Sequence, residues 1–104
     1  YEAIKIFSDF IKTYPDSPYV NDARQRILFM KDQLAAREYR IAEYYRERGA
    51  YLSSARHCQS ILYSYRDTKW LEKAMNLLAE NYEKLNLKGP ADNTRKVIAT
   101  SFGS

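Results

Sequence analysis

The positions Ala3, Phe7, Phe10, Tyr14, Pro15, Asp16 and Ser17 return as Ser54, Cys58, Ile61, Tyr65, Arg66, Asp67 and Thr68, with every spacing kept and an offset of 51 residues. In each copy the small or apolar members fall three or four residues apart and so share one face of a helix. The Tyr-x-Asp-Ser/Thr that follows stops that helix and offers a hydroxyl to cap the next. A chain that repeats helix pairs stacks them into a solenoid, an architecture whose usual work is to hold another molecule.

The first helix is expected from the start of the chain to about Tyr14, with Ile4, Phe7, Phe10, Ile11 and Tyr14 inward. Pro15 ends it by removing a donor and restricting the residue before it, and Ser17 is then the N-cap with Pro18 at the first helical position. From Pro18 to Arg48 there is neither Gly nor Pro, and the apolar residues Val20, Ala23, Ile27, Met30, Leu34, Ile41, Ala42 and Tyr45 follow a helical seam. The spacing predicts one rod of about 45 Å, with Asp32 the place for a break. Gly49 supplies its C-terminal stop. A third helix, about Tyr51 to Tyr65, turns Ser54, Cys58, Ile61, Leu62 and Tyr65 inward, leaving Ser53, Arg56, His57, Ser60 and Ser64 outward and Tyr63 at the border. Thr68 caps a fourth, carrying Leu71, Met75, Leu78, Ala79, Tyr82 and Leu85. Asn86 to Pro90 is read as a turn, and Ala91 to about Thr100 as a fifth helix with Val97 and Ile98 inward.

Composition agrees with an ordered all-α unit. Apolar residues make up 45% of the chain and charged residues 29%, with only three Gly and three Pro, which argues against disorder and against a sandwich. The net charge of +4 admits an acidic partner. Nucleic acid is disfavoured, because Arg37, Glu38, Arg40, Glu43, Arg46, Glu47 and Arg48 alternate in sign as an ion-paired, solvated face does. A single Cys58 excludes an intrachain disulfide, and with a single His57 it excludes the usual Cys and His zinc sets. No apolar run approaches the roughly 20 residues of a membrane span, and no signal peptide or lipid-attachment box opens the chain. Because a helical pattern is already under way at Ala3, the expectation is a fragment that begins mid-protein.

Ala42, Tyr45, Ser54, Cys58, Ile61 and Arg66 follow the landmark spacing of the tetratricopeptide repeat, in which small residues let helices approach and aromatics fill the gap. Leu78, Ala79, Tyr82, Ala91 and Ile98 fit the frame again, and Ala3, Phe7, Phe10 and Pro15 fit its second half. The 51-residue offset exceeds the usual period of about 34, and the surplus matches the extra length of the second helix. Taken with Tyr14-Pro15-Asp16-Ser17-Pro18-Tyr19, Asp22-Ala23, Arg26, Phe29, Lys31, Leu34-Ala35, Glu38, Ala42-Glu43-Tyr44-Tyr45, Glu47-Arg48-Gly49-Ala50 and Asp67-Thr68, the sequence resembles the C-terminal half of the BamD family. These are tetratricopeptide lipoproteins of the bacterial outer-membrane β-barrel assembly (BAM) machinery.

That resemblance implies a non-enzymatic scaffold on the periplasmic face of the outer membrane, one tetratricopeptide domain over residues 1–104. It implies docking to the BamA POTRA domain, association with the lipoproteins BamC and BamE, and contact with unfolded outer-membrane proteins chiefly through repeats missing here. It also implies a lipid anchor outside this stretch, so Cys58 is not the lipidated residue. Two departures stand out: Arg66 occupies a position where the family usually has Pro, and Arg56-His57 falls where related chains carry a basic residue that faces BamA.

The residues themselves nominate a partner-binding set of Arg56, His57, Ser60, Tyr63, Ser64, Lys88 and Arg95, since Arg and Tyr are enriched at binding hot spots. Lys88, Arg95 and Lys96 place positive charge near the last turn, for an acidic partner or for solubility. Ala42 and Tyr45 are expected to be structural. Glu38 lies on the apolar seam between Leu34 and Ile41, where a carboxylate is costly unless paired; an Arg from a neighbouring helix is the expected partner, and a solvent edge is the rival. No strained nucleophile turn and no Gly-rich loop accompanies His57 and the serines beside it, so no catalytic, cofactor or metal site is expected. The competing readings are a generic tetratricopeptide adaptor for peptides and a regulatory helical domain cut from an enzyme.

Overall fold

The computed structural model describes residues 2–103. Five helices follow one another: α1 (Glu2–Thr13), α2 (Val20–Glu47), α3 (Tyr51–Ser64), α4 (Leu71–Lys84) and α5 (Lys88–Phe102), with no strand among the described residues. Each helix packs chiefly on its neighbours in sequence, α1 on α2, α2 on α3, α3 on α4 and α4 on α5. The result is a short solenoid of 50 × 30 × 18 Å, the tetratricopeptide-like architecture expected.

The repeat is visible atom by atom in its two turns. Ser17 and Thr68 each donate their N–H to the carbonyl of the preceding Tyr, at 3.0 and 3.1 Å, and each accepts on its own carbonyl the N–H of the residue three on. The Ser17 hydroxyl receives the N–H of Tyr19, and the Thr68 hydroxyl that of Trp70. These hydroxyls therefore act one turn before the helix proper, which corrects the expected start. Pro18 and Tyr19 form a turn, and α2 begins at Val20.

Helix α2 is unbroken over 28 residues, about 42 Å of rod, so the expected weak point at Asp32 is continuous helix. Its middle is held to the α3–α4 turn by two ion pairs, Lys31 to Asp67 at 3.2 Å and Asp32 to Lys69 at 3.8 Å. The rod ends at Gly49, whose φ of +75° lets Ala50 N–H reach the Tyr45 carbonyl at 2.9 Å while Gly49 N–H reaches that of Arg46 at 3.0 Å. Helix α4 ends the same way, with Asn86 at φ +61° in the glycine's place and Leu87 N–H on the Tyr82 carbonyl at 2.9 Å. The turn there is shorter than expected: α5 starts at Lys88 and takes Pro90 into its first turn, where a missing N–H costs nothing.

The core lies between α2, α3 and α4. Ala42, Ala55, Cys58, Leu77 and Leu78 form one cluster and Ala35, Ile61, Tyr65 and Ala74 another, with Tyr39 and Leu62 packed against both. Alanines at the crossings bring the helices close enough for aromatics to fill the remaining space. A polar link runs through the same crossing: Ser54 donates to the Ala42 carbonyl at 2.7 Å, and Asn81 donates its amide to Ser54 at 2.8 Å. Helix α1 packs on one side only and has no fully buried residue. Tyr14, expected inward, is 59% exposed, whereas its repeat mate Tyr65 is 5% exposed because α3 is flanked by both α2 and α4. Val97, also expected inward, is exposed, while Ile98 is half-buried and Ala91 takes the buried position of α5.

Candidate functional site

Glu38 and Tyr45 lie seven residues apart on α2, two turns along one face, and both meet His57 of α3. Glu38 Oε2 is 2.7 Å from His57 Nδ1, and the imidazole stacks on the Tyr45 ring at 5.5 Å between centroids and 14° between planes. The partner of Glu38 is thus His57 and not the Arg that the sequence suggested. At both side chains the pair is half-buried, and His57 faces the α2–α3 seam where open solvent was expected. With Nδ1 directed at a carboxylate, the neutral ring carries its proton there, and Nε2 is the nitrogen left for a partner.

Aromatic contacts continue from this pair toward the end of the rod. Tyr44 meets Tyr45 edge to face at 5.5 Å and 84°. Arg48 lies over Tyr44, its Cζ 3.5 Å from the ring centroid, and donates to the Tyr44 carbonyl at 3.1 Å. These contacts restrict the rotamers of the long side chains and set Tyr, His and Arg side by side on one surface. Tyr44 and Arg48 were not singled out as site residues from sequence. The signal was present in the i, i+4 spacing of an aromatic and an Arg just before the Gly49 stop.

The nominated residues divide among three surfaces. Arg56, Ser60 and Ser64 run down exposed α3 beside His57, with Ser60 donating to the Arg56 carbonyl at 3.3 Å. Tyr63, expected at the border, is 89% exposed and lines a separate cleft of about 430 Å³ with Gln59, Leu62, Arg66, Leu78, Tyr82 and Thr94. Arg95 lies across α4, donating to Glu83 at 3.0 Å; that bond holds the Glu83 carboxyl below its ordinary range and raises the guanidinium. Lys88 opens α5 and so stands at the opposite end of that helix from its last turn. Ala42 is fully buried. Among the described residues no group of three or more His, Cys, Asp or Glu side chains could hold a metal ion, and no helix is long and apolar enough to cross a membrane.

Residues 1–97 match the family YfiO, described as an outer membrane lipoprotein. The chain is 36% identical over 101 residues to the outer membrane protein assembly factor BamD of Neisseria meningitidis serogroup A, a match covering 97% of this chain and 38% of that protein. It is 36% identical over 96 residues to the protein of the same name from Haemophilus influenzae, covering 92% of this chain and 37% of the other. For that of Xylella fastidiosa the figures are 29% over 100 residues, 96% and 34%. The chain spans little more than a third of the length of these relatives. With the match taking in α1 through most of α5, the chain belongs to the YfiO family of outer membrane lipoproteins.

Proposed function

We propose that this chain is a rigid, non-catalytic docking platform of the outer-membrane β-barrel assembly machinery, the C-terminal tetratricopeptide part of a longer lipoprotein. It works at the periplasmic face of the outer membrane, held there by a lipid anchor elsewhere in the longer chain. Its principal partner is the BamA POTRA domain, with BamC and BamE as accessory partners and unfolded outer-membrane proteins as the cargo of the assembly.

The observation that carries this reading is the face formed by Glu38, His57, Tyr45, Tyr44 and Arg48 on α2 and α3, two helices joined by the Ser54 bond to the Ala42 carbonyl. Tyr and Arg anchors on a surface that does not rearrange are what a docking site needs, since little ordering entropy remains to be lost on binding. The family membership and the names of the relatives supply the machinery to which the partners belong.

The test is a calorimetric titration of this chain with the purified periplasmic domains of BamA. Arg56→Glu and His57→Ala are each expected to weaken binding about tenfold while leaving helicity intact, as hot-spot truncations do. Unchanged affinity in both variants removes this face from the interface.

A further inference from the structure

A second surface lies elsewhere on the same rod. Tyr39 and Arg46 of α2, Lys73, Asn76, Leu77 and Glu80 of α4, and Arg95 of α5 enclose a cleft of about 330 Å³, within the size range of ligand sites. Tyr39 follows Glu38 and Arg46 follows Tyr45, and each such step turns about 100° around a helix. The cleft therefore opens on a different side of α2 from the His57 face, and a ligand bound in it is independent of the docking reading.

We propose that this cleft binds an acidic polypeptide segment in extended form. Of the three cations that line it, Arg46 is paired with Glu80 at 3.4 Å and Arg95 with Glu83 at 3.0 Å, which leaves Lys73 as the uncompensated charge. Lys73 has no carboxylate within ion-pair reach among the described residues; its ammonium stands 5.0 Å from the Trp70 ring centroid. Two N–H donors here are buried with no acceptor, Arg46 Nε and Trp70 Nε1, and Trp70 adjoins the cleft through its ring contact with Tyr39 at 5.5 Å. The charge of Lys73 and the unanswered Arg46 donor suit a ligand of carboxylates and carbonyls.

The repeat separates what the architecture makes from what this site adds. Fifty-one positions earlier, Asp22, Gln25, Arg26 and Phe29 line a cleft of about 280 Å³ at the matching places on α2. There Asp22 stands where Lys73 stands later, and it is bound to Arg26 at 2.8 Å. Along the matching row, α4 thus carries a cation, Lys73, where α2 carries a carboxylate, Asp22. From Lys73 to Glu80 the α4 row is about 10 Å long, enough for about three residues of an extended strand.

Trp70 is the sole tryptophan of the chain and reports the cleft directly. The experiment titrates this chain with a short Asp- and Glu-rich peptide and with its Asn and Gln counterpart, following Trp70 emission and its indole N–H resonance. The acidic peptide is expected to give a saturable change, weakened about tenfold by Lys73→Glu and by a smaller factor in Lys73→Gln. Lys5→Glu, the same charge reversal on exposed α1, is expected to change affinity less than about twofold at fixed salt. Equal binding of the neutral peptide, equal losses in Lys5→Glu and Lys73→Glu, displacement by inorganic phosphate alone, or no saturable change would each overturn the proposal.

Discussion

Asn81 donates its side-chain amide to the Ser54 hydroxyl at 2.8 Å, and that hydroxyl donates in turn to the Ala42 carbonyl at 2.7 Å, so two bonds tie three helices at one fully buried point. Ser54→Ala strips the acceptor from the Asn81 amide and the donor from the carbonyl. Unpartnered polar groups in the interior cost about 1–3 kcal/mol, and urea unfolding is expected to show a loss in that range. Adding Asn81→Leu to Ser54→Ala should recover part of it, because the remaining amide is then gone. A double variant no better than the single one would mean that Asn81 contributes by shape alone.

At the end of the long rod, Gly49 adopts φ +75°, and a Cβ built there meets nothing within 4 Å. The cost of Gly49→Ala is therefore backbone strain without a clash, about 1 kcal/mol. Thermal melts should show that loss, while Asn86→Gly at the equivalent end of α4 should be neutral or slightly stabilising. A loss in Asn86→Gly equal to that in Gly49→Ala would mean that the left-handed conformation does not set the cost at Gly49.

These two ends show what was legible in the sequence. Gly49 announces its left-handed turn because only glycine takes that conformation freely, and Pro15 announces the end of α1 for the opposite reason. Asn86 performs the same stop with a residue that is equally at home in many loops, and Pro90 reads as a breaker although the first turn of α5 accepts it. The long rod was readable because its apolar seam never loses register. The 51-residue offset also points to Ala74 through buried Ala23, but not to Asn81, whose mate is Met30. The Glu38 anomaly was readable as a charge in an apolar seam; its partner was not, since nothing in the spacing fixes how α3 is rotated against α2.

Cys58 is fully buried in the first cluster, and burial pushes its thiol from 9.0 up to about 12. Only the thiolate reacts readily, so a thiol reagent at mildly alkaline pH should label the folded chain far more slowly than the chain in denaturant. The sign of the linkage follows from the raised value. Below pH 9 the thiol is neutral in both states and its contribution to stability is complete. Between pH 9 and about 12 the unfolded chain loses its proton first, so stability falls as pH rises. Cys58→Ala should flatten that part of the profile and cost about 1 kcal/mol of packing. Labelling at the same rate with and without denaturant would contradict the burial.

The half-buried pair of Glu38 and His57 separates stability from recognition. Glu38→Gln removes the charge but keeps an acceptor for Nδ1–H, and at this degree of solvation the pair itself is worth about 1 kcal/mol or less. Glu38→Leu removes the acceptor as well and leaves the half-buried Nδ1 without its partner, so the larger loss of stability is expected there. Both changes should also be visible at the ring. With the carboxylate present, nitrogen NMR should find the neutral imidazole protonated at Nδ1; with Leu in its place the Nε2–H tautomer, ordinarily the favoured one in solution, should return. A partner that meets Nε2 would then find a donor where it found an acceptor. On the docking function proposed above, affinity for the BamA periplasmic domains should consequently fall further in Glu38→Leu than its loss of stability explains. If the tautomer does not change, the carboxylate is not what orients the ring, and the stacking on Tyr45 alone must hold it.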